Sequence, residues 1–338
     1  MALAKGYLGG FFCFGEETTW GTAIERTQEL KLRRGGDGVE ATQEEMMSEE
    51  IPNVYTDDSE AVIGNKTVGG PLTFACQYEG HEVIYKHALG NLASSQPDVT
   101  NDENTWLHTY TISNALPDAA GTEKGLTLEI DRDTHEYVCE GCKIASIEWS
   151  IDVNGLLVCT INISAEDAAF AEDPTGALTF PTAAYIKYSD QPTGGYVVIY
   201  DGATELKCTN LTWTLNNNLD VDRRYLGTNL ISEQVRAGKV EVTGSMTIDF
   251  DSTDEYDDFI GHTTQTLVIE FNGATIDTNY AYTEQFLFDA VRIISGTPRV
   301  NDEGRVTVDV NWKAYAANTS NREMEIVQYN TVDDTYDT

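Results

Sequence analysis

The 338-residue chain predicts a mainly β fold, with two tandem sandwich- or barrel-like units that each carry one short flanking helix. Three observations support this. Short stretches alternate apolar and polar residues with period two, the pattern of a half-buried strand. Only two short segments show convincing helical spacing. The same order of strand-like segments also occurs twice, about half a chain apart.

The first 30 residues are punctuated by aromatics and glycine and read as a short strand or arm. It ends in the turn-like run from Gly15 to Thr22, GEETTWGT. A strand opens at Leu30 and Leu32 and continues to residue 38. The polar stretch 39–58 has a helix-like composition but is read as a long hairpin arm. Residues 62–78 form the next strand, with Gly70, Leu72, Phe74 and Cys76 sharing its inward parity. A helix over 82–89 is closed by Gly90. Residues 91–102 read as a loop. Strands are expected at 106–113, 126–130, 136–138 with 142–152, and 156–164. The turn Val153-Asn154-Gly155 is the strongest hairpin signal.

Residues 165–195 have little apolar periodicity and carry Pro174, Pro181, Pro192 and the Gly194-Gly195 pair, which marks a boundary. The expected organisation is therefore a first unit at 1–165, a linker at 166–195, a second unit at 196–316 and an acidic tail at 317–338, mobile or extended as an arm. In the second unit a hairpin turns at Asp201-Gly202, a strand covers 211–215, and 216–233 is a polar loop. Val240, Val242, Met246, Ile248 and Phe250 form one face of a strand, with Gly244 in the same row. A helix follows, with Ser252 and Glu255 at capping-box spacing, an apolar stripe of Tyr256, Phe259 and Ile260 set against the core, and Gly261 as its end. Strands at 267–271, 284–295 and 306–316 complete the unit, the last two joined by a turn at 301–304.

The internal repeat rests on five ordered matches. Leu30 to Leu32 answers Leu211 to Trp213, and Gly70 to Phe74 answers Gly244 to Ile248. The two helices answer each other. Leu126 to Ile130 answers Leu267 to Phe271, and Gly155 to Ile161 answers Gly304 to Val310. Each unit leaves exposed strand edges, which in a ring-forming subunit become the assembly surface.

The chain carries 56 acidic against 21 basic residues, a net charge of −35. Such a field repels phosphate, which argues against nucleic-acid binding by charge attraction. The start has no signal-peptide layout, and no apolar run approaches the ~18–20 residues that span a bilayer. The expectation is synthesis and folding in the cytoplasm and no membrane partner. Six scattered cysteines do not suggest a disulfide framework.

No catalytic, cofactor or metal site is expected. Cys139 and Cys142 have metal-ligand spacing but lack a second pair, so they read as reduced thiols. The five histidines form no HExxH or nucleophile-elbow pattern. The acidic run from Asp249 to Asp258 lacks the order of a calcium loop and reads as helix capping with a solvated face.

Three stretches together resemble the tail tube proteins of long-tailed bacteriophages: Gly15–Thr22, Gly141–Ile147 running on to Leu157, and Lys239–Phe250 with its acidic helix. The resemblance covers most of the chain. It implies a structural virion protein of the phage tail whose subunits close into rings, stacked as a hollow conduit for DNA ejection. An acidic bore would let DNA slide without sticking. The implied ring-stacking loop spans 32–51, with Leu32, Arg33, Arg34, Glu44, Glu45 and Ile51. Its second-unit counterpart carries Asn216, Asp220, Arg223, Arg224 and Glu233. Two fused units imply a trimer with pseudo-sixfold symmetry. The implied partners are further copies of the chain, tail terminator, tape measure and distal tail proteins. Alternative readings are a capsid decoration or tail-fibre-like protein, or an extracellular adhesin or carbohydrate-binding module.

Overall fold

The computed structural model describes residues 10–47, 62–113, 116, 118–119, 122–132, 135–171, 180–190, 198–200, 204–298, 305–317 and 322–333. The first half contains β1 (Phe11–Glu16), β2 (Gln28–Asp37), β3 (Glu40–Met46), β4 (Val62–Ala75), α1 (Glu82–Leu89), β5 (Gly90–Ser95), β6 (Trp106–Ile112), β7 (Asp118–Ala119), β8 (Thr122–Glu123), β9 (Leu126–Asp131), β10 (Glu136–Asp152), β11 (Val158–Ala165) and β12 (Asp167–Ala171). The second contains β13 (Val198–Tyr200), β14 (Thr204–Leu206), β15 (Cys208–Asn216), β16 (Glu241–Asp249), α2 (Asp254–Gly261), β17 (Gln265–Thr275), β18 (Ala281–Ser295), β19 (Thr307–Ala314) and β20 (Glu325–Asn330). The protein is mainly β, with a barrel and additional strands.

In the first half the pairings run β1–β2–β4–β11–β10–β9 and return to β1, which closes a barrel. In the second half they run β14–β13–β17–β18–β19–β16–β15, and β14 leads directly into β15. The order β1–β9–β10–β11–β4–β2 matches β13–β17–β18–β19–β16–β15, with β14 standing where the first half closes β1 on β2, and the register of the central ladders agrees. Ile161 lies opposite Leu72, and Val310 lies opposite Met246. A bulge at Ile144/Ser146 recurs at Ile293/Ser295. The Asn162 amide donates to Ser146 Oγ at 2.9 Å, and the Asn311 amide donates to Ser295 Oγ at 2.7 Å. Two sequence matches shift in register. Cys139 faces Leu128 as Phe288 faces Leu267, so Leu128 rather than Leu126 takes the place of Leu267. Leu32 faces Phe74, and the residue facing the equivalent Ile248 is Cys208, not Trp213. Alternating strands resemble one another at any even offset, and the bulge at Cys208/Asn210 absorbs one of the five positions that separate Cys208 from Trp213, so sequence alone did not determine either register.

One buried cluster runs through both halves. Trp149 and Trp213 stack at 5.7 Å, and Phe286 sets its edge against each, at 5.2 and 4.8 Å. The Trp149 indole N–H donates to Tyr85 Oη on α1 at 3.1 Å, which anchors that helix over the cluster. The glycine expected in the β16 row has a packing reason. A Cβ on Gly244 would lie 2.3 Å from the Trp312 ring, so only glycine admits that indole.

Several elements depart from the sequence reading. The segment at 91–102 begins as a strand, β5 paired with β6. The expected linker includes β12, which pairs with β10, and residues 180–190 dock on the first half, with Ile186 buried. The C-terminal tail supplies β20, inserted between β18 and β6. Its alternate residues Ile326, Gln328 and Asn330 are buried, a pattern too polar to stand out as a strand. Helix α1 has the expected bounds, with Gly90 at φ 103°. In helix α2 Thr253 stands at the N-cap without a side-chain capping hydrogen bond, Ser252 Oγ accepts from the Asp254 N–H at 3.2 Å, and His262 at φ 52° ends the helix one residue beyond Gly261. Of its expected stripe, Phe259 packs against the core, while Tyr256 is 37% and Ile260 58% exposed. Helix α2 packs mainly on β18, whereas α1, of the same length, is enclosed by β5, β6 and β10 and buries nearly every residue.

Candidate functional site

The expected hairpin arm is present. β3 pairs with β4 from Glu40↔Gly69 to Met46↔Val62, and all of β3 is exposed. Leu32 is half-buried on β2, Arg33 and Arg34 are exposed, and Glu44 and Glu45 lie on the exposed arm. Met46, Met47, Val62 and Ile63 expose apolar side chains toward its far end. Ile51 lies outside the described residues.

The second-half loop is built differently. Asn217 is wholly buried and donates its amide to the carbonyls of Ala88 (2.9 Å) and Ile144 (3.0 Å). The Arg236 guanidinium grips Asn217 Oδ1 at 2.7 Å and also donates to the Ser113 carbonyl. Arg224 reaches the base of the arm, donating to the Lys66 carbonyl and Thr67 Oγ1 at 2.8 and 2.9 Å. Arg223 donates to the Glu233 carbonyl at 2.8 Å, and Asp220 N–H donates to the Val235 carbonyl at 2.8 Å. Glu233 lies 4.0 Å from the Lys143 ammonium. Asn216 belongs to β15. Leu226, Tyr225 and Val221 remain exposed. The loop is therefore pinned to the first half, where Arg224 touches β4 at the base of the arm.

The run from Gly15 to Thr22 also has a structural role. Glu17 is fully buried, and its carboxylate accepts from the backbone N–H of Gly21 (3.0 Å) and Gly141 (2.8 Å) and from Thr127 Oγ1 (3.1 Å). Gly141 has φ 60° at the bend of β10, and a Cβ there would lie 3.0 Å from the Trp20 ring and 2.7 Å from Glu166. The bend lets one long strand serve two sheets. Residues 136–142 pair with β9, and 146–152 pair with β15 of the second half.

That second pairing is the main feature that sequence reasoning missed. Ile147, Trp149 and Ile151 lie opposite Leu215, Trp213 and Leu211, all buried. A continuous sheet, β4–β11–β10–β15–β16–β19, thus crosses both halves. One face is the apolar core. The other presents small polar residues joined across strands: Thr73 to Thr160 (3.0 Å), Asn162 to Ser146, Thr214 to Glu148 (3.4 Å), Asn210 to Asp152, and Thr247 to Asp309 (2.8 Å). Glu148, Asp152, Glu241, Asp249 and Asp309 share the polar face, with Lys313 paired to Glu241 and Arg305 to Asp249. The pairing of Trp149 with Trp213 had one sequence cue, a tryptophan in each of two alternating strands.

The six cysteines are free, and Cys139 and Cys142 are both buried in β10. Burial and the neighbouring Cys139 raise the Cys142 thiol well above its ordinary pKa, which keeps it unreactive. Among the described residues no group of three or more His, Cys, Asp or Glu is arranged to hold a metal, and no helix is long and apolar enough to cross a membrane.

A barrel-based subunit with an extended arm and a polar sheet face is built for assembly. Residues 9–314 match the family model of the phage tail tube protein. The chain belongs to that family, and its role is structural, in the tail of the virion. The family implies self-assembly into a tube alongside other tail proteins. No curated protein matches the chain.

Proposed function

We propose that the chain assembles into rings of three subunits with pseudo-sixfold symmetry, stacked as the tube that conducts DNA during ejection. The observation that carries this reading is the sheet shared across the two halves. Under it, 1–165 and 196–316 are two copies of one unit, and the β10–β15 pairing joins them as neighbouring units of a ring. The identical pairing order and the recurring Asn–Ser hydrogen bond support the duplication. The polar face of the shared sheet lines the bore. Its hydroxyls and amides already bond to one another, and its carboxylates outnumber its cations, so phosphate finds little to hold it.

The β3–β4 arm, with Glu44 and Glu45 on it and Leu32, Arg33 and Arg34 on the adjoining β2, reaches the next ring. The second-half loop with Asn216, Asp220, Arg223, Arg224 and Glu233 braces its base. Phe259, flanked by Tyr256 and Ile260, holds α2 over the open side of the second unit. Tail terminator, tape measure and distal tail proteins are further partners of the tube.

Negative-stain microscopy of the purified protein tests the assembly, with light scattering to give the ring mass. Hollow tubes or rings of three chains are expected. A monomer that never polymerises at high concentration would sink the reading. Replacing Glu148 and Asp309 with Lys should leave tubes intact but slow DNA ejection from phage that carry them. Unchanged ejection would remove this face from the bore.

A further inference from the structure

The β10–β15 pairing joins the halves of one chain, and each end of the chain carries half of the same pairing. The shared register aligns Val39 with Trp213 and Ala41 with Leu215, because Ala41 faces Val68 as Leu215 faces Val242. It aligns Ser295 with Ser146, since each follows the same bulge and takes the same asparagine bond. Gly296 and Pro298 then stand at the places of Ile147 and Trp149.

Backbone direction agrees. Asn217 N–H donates to the Ala145 carbonyl at 2.9 Å, so by alternation Leu215 and Trp213 turn their backbone groups toward β10. Gly38 N–H donates to the Pro71 carbonyl at 2.9 Å, on β4. By the same alternation Val39, Ala41 and Gln43 turn theirs away from β4, to an edge that pairs with no other strand among the described residues. Side chains occupy the Val39 groups. Its N–H donates to Asp37 Oδ1 at 3.2 Å, and its carbonyl accepts from Arg132 at 2.6 Å.

We propose that Val39–Gln43 of one copy of this chain pairs antiparallel with Ser295–Pro298 of a second copy, in the register of the β10–β15 pairing. Thr42 then lies opposite Ser295, Ala41 opposite Gly296, and Val39 opposite Pro298. This rests on the tube reading and names the surface through which its rings close. The chemistry suits each position. Ala41 and Gly296 exchange two backbone hydrogen bonds. Pro298 has no N–H to offer, and the Val39 carbonyl opposite it already has a donor in Arg132. A Cβ on Gly296 would lie 3.6 Å from Val310, so this strand end rests on its own core as Ile147 does. The two edges differ, so the contact is head-to-tail and closes by rotation into a ring.

Two variants of the full chain test the pairing. Ala41→Pro removes a donor turned to the open edge and spares the ladder with β4. It should keep the wild-type circular dichroism and melting curve but form no rings. Thr42→Cys combined with Ser295→Cys should give oxidised species larger than one chain on a denaturing gel, which the wild-type cysteines do not give. If wild-type protein forms neither rings nor tubes, the tube reading falls and this pairing with it. If wild type assembles, Ala41→Pro assembles equally and the cysteine pair fails to cross-link, the pairing alone is overturned.

Discussion

The two halves follow one pairing order but diverge at the same point, where the strand beyond β4 or β16 runs out. In the first half the chain continues as β3 and projects with β4 as an exposed arm. In the second half it turns at Asn217 and is fastened down by Asn217, Arg236 and Arg224. The difference lies in what the following residues can bond to. Asn217 offers an amide with two acceptors in reach, at the C-terminal end of α1 and in β10. Its first-half counterpart, Gln43, sits on an open edge and continues the hairpin. The corresponding segment is thus an exposed arm in one half and a fastened loop in the other, because only the second finds acceptors of the same chain in reach.

Replacing Trp213 with Ala should have the largest effect on the folded subunit. The side chain is fully buried in the junction of the halves, and its loss should cost about 3–5 kcal/mol in chemical denaturation. Val39→Ala, at the counterpart position, should cost only about 1–2 kcal/mol, from two lost methyl groups. Equal costs would mean that the junction between the halves is no more closely packed than the open edge.

Asn217→Ala should come next, at about 1–3 kcal/mol, because it leaves the buried carbonyls of Ala88 and Ile144 without a donor. Amide exchange across residues 218–235 should rise while that of β3 stays as it was. Unchanged exchange in the loop would show that other contacts pin it.

The pH dependence separates two charge sites. Burial lowers the His81 pKa, but the Glu284 carboxylate 3.6 Å away outweighs it and raises the imidazole to about 9. The resulting stability is full below about 6.5, the ordinary histidine value, and is lost as pH rises through about 9. Burial raises Glu16, but the hydrogen bond from His87 and the charge of Lys86 outweigh it and lower the carboxyl to about 2. That contribution is present above about 4.5 and is lost as pH falls through about 2. A melting series should show an alkaline fall that His81→Gln removes and an acid fall that Glu16→Gln reduces. An alkaline limb unchanged by His81→Gln would place its cause elsewhere.

The smallest effect on the subunit should come from Ile63→Ser on the arm. Ile63 is 67% exposed, so stability should stay within about 0.5 kcal/mol. Tube length should shorten if the arm reaches the next ring. Full-length tubes from this variant would remove these apolar residues from ring stacking.

Much of the fold was legible in the sequence because strand parity and turn chemistry are local. The row Leu72, Phe74, Cys76 is buried as its alternation requires, Gly90 ends α1, and Asn154 takes the left-handed turn between β10 and β11. The hairpin arm was also legible. The sequence by itself therefore determined the strand-rich class, the repeated order of elements and the acidic surface, since each depends on spacing or composition. Tertiary structure alone decided which edges meet. The pairing of Trp149 with Trp213, the insertion of β20 between β18 and β6, and the fastening of Asn217 to Ala88 are contacts between residues far apart in the chain. A strand's alternation shows which face is buried but not which strand lies beside it, because backbone hydrogen bonds are the same for every partner.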